Sequence, residues 1–168
     1  MKKILLFTLI FSGFLLAQDR NNVILDKNNK PILIGEVEIS DFQKEPFSIW
    51  FDEEYENYQT DSLKMVILKE NLNLYKITIV LGTWCPDSRR EFPRFIKILQ
   101  ECNYDFGNLS IIAVNRRNNG KFIGAEDLSI KAVPTFIFSV EEVEIGRIEE
   151  SPKRDNLESD ILEILGLE

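Results

Sequence analysis

Residues 76–95 read KITIVLGTWCPDSRREFPRF, and this stretch decides the fold. Its first part, Lys76 to Gly82, is a β-branched run of the kind a strand buried on both faces needs. Its second part predicts a helix from Pro86 to Cys102, with Phe92, Phe95, Ile96 and Leu99 on one side. Pro86 suits the first helical position, where its missing N–H would be unpaired anyway. Thr83-Trp84-Cys85-Pro86-Asp87-Ser88 is therefore a strand-to-helix junction, and it sets Cys85 at a helix N-terminus. Unpaired N–H groups and the positive dipole end favour a thiolate there. Arg89 and Arg90 add positive potential one turn on, and Asp87 opposes them. An ordinary half-buried cysteine is the bland alternative, because cysteine is common in cores.

Downstream, Leu109 to Val114 reads as a second buried strand, and Asn115 to Lys121, NRRNNGK, as a loop. Val133 to Val140 is a strand entered through Pro134, and Val143 to Ile148 is a strand of alternating pattern. Pro152 is placed in the first turn of a last helix whose Leu157, Ile161, Ile164 and Leu165 make an apolar stripe. The order β-α-β-loop-β-β-α predicts an α/β fold, a central mixed parallel and antiparallel sheet flanked by helices. Arg116 and Arg117 lie beyond a strand's C-terminal end, the side on which open α/β sheets carry their sites. They read as a solvated loop, with receipt of an anionic substrate as the alternative.

Upstream, Val23–Leu25 and Ile32–Ile34 flank the turn-rich Asp26 to Pro31 and predict a small hairpin. Phe47 to Tyr58 carries Phe47, Trp50, Phe51, Tyr55 and Tyr58 at helical spacing, an aromatic face packed on the domain. Asp52-Glu53-Glu54 reads as the wet side of that helix. Thr60-Asp61 caps a second helix with Leu63, Val66, Ile67 and Leu68 facing inward. Met1 to Ala17, MKKILLFTLIFSGFLLA, has the basic end, apolar middle and small final residue of a secretory signal. It is too short to span a bilayer comfortably. The expected division is a signal peptide over 1–17, an N-terminal extension over 18–71 and the main domain over 72–168. The expected location is periplasmic or extracellular, with no stable membrane insertion after cleavage.

The composition narrows the chemistry. The chain of 168 residues has no histidine, which excludes Ser-His-Asp triads, Cys-His dyads and His-ligated metals. It has two cysteines, Cys85 and Cys102, too few for a four-cysteine zinc site or a multi-disulfide framework. No metal and no cofactor is expected. A net charge of −8 argues against nucleic acid as a partner. Cys85 and Cys102 sit on one predicted helix 17 positions apart, roughly 25 Å at 1.5 Å per residue. A disulfide needs Cα atoms within about 7 Å, so Cys102 reads as structural.

Three features in order resemble the thioredoxin family over residues 72–166. They are Trp84-Cys85-Pro86-Asp87-Ser88 after a buried strand, Pro93 within the helix, and Val133-Pro134-Thr135 opening the strand before a terminal hairpin. The string TWCPDSRREFPRF looks like a secreted Bacteroidetes-type branch with WCxDS motifs. The resemblance implies a thioredoxin-like fold, and a cis-proline at Pro134 packed against Cys85. It implies Cys85 and Ser88 as catalytic positions, and a substrate groove around Trp84, Pro86, Val133 and Pro134. It also exposes departures. The second cysteine of that family is replaced by Ser88, its buried acid by Ile79, and the Asn-Gly or Asp-Gly of its hairpin turn by Glu141-Glu142.

Two functions follow as expectations. One is monothiol thiol–disulfide exchange or isomerisation, in which Cys85 forms a mixed disulfide and Ser88 donates a hydrogen bond to its sulfur. An outside thiol then resolves the adduct. The partners are protein thiols or disulfides, or a small thiol such as glutathione. The other is a non-catalytic module that binds an extended peptide in the groove by strand-like pairing. Monothiol glutaredoxins also carry CxxS, but with glycine and phenylalanine where this chain has Pro86 and Asp87.

Overall fold

The run from residue 76 forms strand β4 (Lys76–Leu81), the middle strand of a five-stranded sheet. The computed structural model describes residues 22–116, 122 and 124–167. The segment 1–17, expected to be a signal peptide, and Arg117 lie outside the described residues. β4 pairs in parallel with β5 (Leu109–Ala113) and antiparallel with β6 (Thr135–Val140). β6 turns back into β7 (Val143–Glu149), an edge strand. The turn between them is Glu141-Glu142, with φ of 49° and 67°. A two-residue hairpin turn of this kind needs left-handed backbone at both positions, which is why asparagine and glycine are its usual residues. Here two glutamates adopt it, and Glu142 meets Lys76 across the strand end.

The N-terminal segment supplies β1 (Val23–Leu25) and β2 (Pro31–Leu33), the predicted hairpin. Its turn is held by Asp26, whose Oδ1 accepts from the Asn28 and Lys30 N–H groups at 2.8 and 2.9 Å. Two short elements follow that the periodicity did not announce. β3 (Gly35–Glu36) pairs antiparallel with β5 and becomes the other edge of the main sheet. α1 (Ile39–Phe42) buries Phe42. Then come α2 (Ser48–Asn57) and α3 (Ser62–Asn71).

The long helix α4 (Pro86–Glu101) lies between the sheet and the N-terminal segment, and it is apolar on more than one side for that reason. Towards the sheet, Phe95 stacks on Phe136 at 4.3 Å between ring centroids. Away from it, Phe92 packs on Phe42 and Phe51 at 4.5 and 5.7 Å. Pro93 sits inside the helix, buried with them. Each such ring contributes roughly 1.5–3 kcal/mol by leaving water. The five α-helices of the described residues, α5 (Leu157–Leu165) included, all contribute buried residues to this one large core. A second, smaller cluster forms around Val80, Cys85, Val114, Phe122, Ala125 and Val133.

Two expectations need correction. In α3 the inward residues are Met65 and Leu68, whereas Leu63, Val66 and Ile67 are 81%, 60% and 38% exposed. The helix start near Pro152 also moves: α5 begins at Leu157, with the Asn156 side chain accepting from the Ser159 N–H at 3.0 Å as its cap. Pro152 lies in the irregular chain before it.

Candidate functional site

The junction after β4 is a tight turn. The Cys85 N–H donates to the Gly82 carbonyl at 2.8 Å, and the Arg89 N–H donates to the Cys85 carbonyl at 3.1 Å. Cys85 is thereby the N-cap of α4, in extended backbone geometry, with Pro86 in the first turn. Gly82 is needed for this turn. A Cβ there would lie 2.6 Å from the Trp84 ring, which folds back across the strand end. The indole Nε1 donates to the Val114 carbonyl at 2.9 Å, tying the turn to the end of β5. Thr83 ties it to the N-terminal hairpin, because its buried Oγ1 accepts from the Leu33 N–H at 3.1 Å.

Cys85 is 9% exposed, and its thiol donates to the Val133 carbonyl at 3.2 Å. Val133 enters β6 through Pro134, and the Val133–Pro134 peptide bond is cis. The fold therefore sets Cys85 against Val133, the residue before the cis bond, with Trp84 packed on the same small cluster. Nucleophilic attack requires that the proton leave and the side chain turn from Val133. The Pro134 carbonyl is also occupied, accepting from the Glu150 N–H at 2.7 Å. The carbonyls on which an added peptide strand would rely thus have internal donors.

Ser88 departs from its expected role. It is fully buried one turn into α4, and its Oγ accepts from the Gly82 N–H at 3.2 Å. It makes no hydrogen bond to the Cys85 sulfur; it braces the turn instead. Ile79 is fully buried in β4, so no carboxylate stands at that position to carry a proton. Cys102 lies at the other end of α4, 2% exposed, and burial pushes its thiol up to about 11. Both cysteines are free thiols. Among the described residues, no group of three or more Cys, Asp or Glu is placed to hold a metal ion.

The arginines differ from one another more than their spacing suggested. Arg90 is neutralised by Asp87 at 2.7 Å and by the buried Glu91 at 2.6 Å. Arg89 donates its Nε to the Thr83 carbonyl at 2.6 Å and lies over the Trp50 ring of α2 at 5.9 Å. Arg116, read from sequence as loop solvation, lies over Trp84 at 4.3 Å. Sequence reasoning missed Trp50 and Thr83 as parts of this site. Nothing local marks them, since each meets Arg89 or the hairpin only through the tertiary fold.

No protein-family model and no curated protein matches this sequence. Two solved structures share its fold. One is a protein of unknown function from Pseudomonas aeruginosa, 18% identical, with a TM-score of 0.54 over 80% of this chain and 92% of that one. The other is an HIV epitope scaffold, 18% identical, with a TM-score of 0.53 over 80% of this chain and 85% of the scaffold. At that identity the likeness speaks for the fold alone: a mixed α/β architecture with a five-stranded mixed sheet flanked by helices.

Proposed function

We propose that this chain is a thioredoxin-like protein of the secreted, monothiol WCxDS type, exported to a periplasmic or extracellular location, and that Cys85 carries out thiol–disulfide exchange or isomerisation. The observation that carries this reading is the placement of the Cys85 sulfur. It sits at the N-cap of α4 and faces the Val133 carbonyl at 3.2 Å, at the entry to β6. The Cys85 thiolate attacks one sulfur of a partner disulfide, protein or small molecule. A mixed disulfide forms and the other sulfur leaves as a thiolate. Position 88 holds a hydroxyl turned to Gly82, and Cys102 is at the far end of α4, so neither resolves the adduct. An outside thiol does so, attacking the mixed disulfide and returning Cys85 to its reduced form.

The second reading is a peptide- or protein-binding module without turnover. The low exposure and hydrogen-bonded state of the Cys85 thiol favour it, and the engaged carbonyls of Val133 and Pro134 weigh against it. Adduct mapping separates the two. The folded protein is treated with oxidised glutathione, quenched with acid and mapped by mass spectrometry. The exchange reading expects one glutathione on Cys85, released by dithiothreitol, and none on Cys102 until denaturant is added. A folded protein that takes no adduct at Cys85, or takes one first at Cys102, leaves the module.

A further inference from the structure

We propose that Arg89 and Arg116 make the site selective for disulfides of small molecules that carry carboxylates close to the sulfur. The inference rests on the exchange reading and names its substrate class. Its starting point is how the guanidinium groups of this acidic chain are used. Arg90, Arg94, Arg147 and Arg154 each meet a carboxylate: Asp87 and Glu91, Glu54, Glu144, and Glu163 in turn. Among the described residues, Arg89 and Arg116 form no ion pair. Both are exposed, and both are fixed to the segment that carries Cys85. Arg89 is held by the Thr83 carbonyl and the Trp50 face, and Arg116 by the Trp84 face.

A guanidinium attracted to an aromatic face by its charge does not use up its N–H donors there. Those donors form a fork that matches a carboxylate. Arg89 uses only its Nε within the protein, and Arg116 uses none of its side-chain donors on a described residue. Asp26 of the hairpin is the carboxylate that feels Arg116. Its carboxyl is held below the usual range mainly by the Lys30 N–H, with Arg116 a minor contributor. Asp26 is thus satisfied by its own turn, and among the described residues no carboxylate takes up the Arg116 fork. Two such groups held at Thr83 and Trp84, next to Cys85 in the chain, attract an anion towards the attacking sulfur. Protein clients without local negative charge gain nothing from them. The exchange itself balances without further reactants: the disulfide is reduced by one thiol equivalent as its S–S bond breaks. A Cys85–sulfur bond forms, the Cys85 proton goes to solvent, and a carboxylate-bearing thiolate leaves.

Three small disulfides of similar size test this: dithiodiglycolate, which is anionic, hydroxyethyl disulfide, which is neutral, and cystamine, which is cationic. The rate of adduct formation at Cys85 is measured by mass spectrometry for wild type, Arg116→Gln and Arg89→Gln, with folding checked by circular dichroism. Dividing each rate by that of the neutral disulfide removes any change in the thiol's own reactivity. The expected result is that the anionic quotient falls about two- to five-fold in each variant, the size of one exposed charge pair, while the cationic quotient rises. Added salt should shrink the wild-type preference. Quotients that stay the same in both variants overturn the inference while leaving exchange intact. So does a common fall in all three rates, which assigns the arginines to bracing the turn. Failure of even the neutral disulfide to react at Cys85 defeats the exchange reading itself, and this inference with it.

Discussion

Ser88 is the residue on which the chemistry turns. A cysteine at this position would stand one helical turn from Cys85, at the high effective concentration of an intramolecular partner. We expect Ser88→Cys to form an 85–88 disulfide and to reduce insulin with dithiothreitol as donor, at a rate clearly above wild type and Cys85→Ser. The substitution gives up the hydrogen bond from the Gly82 N–H, at a cost of about 1 kcal/mol, so a modest fall in melting temperature is expected. Activity should stay limited, because Ile79 offers no carboxylate to move the proton. A folded variant without the internal disulfide, or a wild type as active as the variant, would count against the monothiol mechanism. The place of Cys85 was legible in the sequence because it follows from local rules: a β-branched run, a proline in the first helical turn, and a cysteine between them. The direction of the Ser88 hydroxyl was not. A serine can serve the sulfur or the backbone equally well, and the close return of Gly82 decided between them.

Helix α3 shows what periodicity leaves open. Leu63, Met65, Val66, Ile67 and Leu68 make that segment apolar nearly all round, so the face read from its sequence was only one of those the pattern allows. Packing chose Met65 and Leu68, in line with the buried Leu72 one turn on. Leu68→Ala should therefore cost roughly 2–5 kcal/mol, while Val66→Ala should stay within about 0.5 kcal/mol of wild type. Urea denaturation monitored by circular dichroism measures both. Equal costs would return the inward face to the one the sequence suggested. Helix α5 failed in a different way. Pro152 is a reasonable first-turn residue, but Asn156 closes a true cap through the Ser159 N–H, and a capped start outweighs a merely permitted one.

At the scale of the whole molecule, the N-terminal segment is part of the same core as the residues that carry Cys85. β3 extends the main sheet, the Leu33 N–H anchors Thr83, and Phe42, Phe51, Met65 and Leu68 are buried with α4. A chain beginning at residue 72 would expose the Phe92 side of α4. Its losses, about 1.5–3 kcal/mol for each large side chain uncovered, add up to the whole stability of an ordinary domain. We expect this truncated chain to lack a cooperative thermal transition and to bind a hydrophobic dye, where the chain from residue 18 does neither. A cooperative transition near that of the longer chain would make the extension dispensable. By itself the sequence determined the α/β order, the central strand, the long helix and the cysteine between them, since strand propensity, helix capping and apolar period act over a few neighbouring residues. Only the tertiary structure decided that a two-residue strand at Gly35–Glu36 joins the sheet, that Arg116 lies over Trp84 and Arg89 over Trp50, and that the Cys85 thiol faces Val133. Those contacts join residues far apart in the chain, and their energies depend on distances that no local pattern encodes.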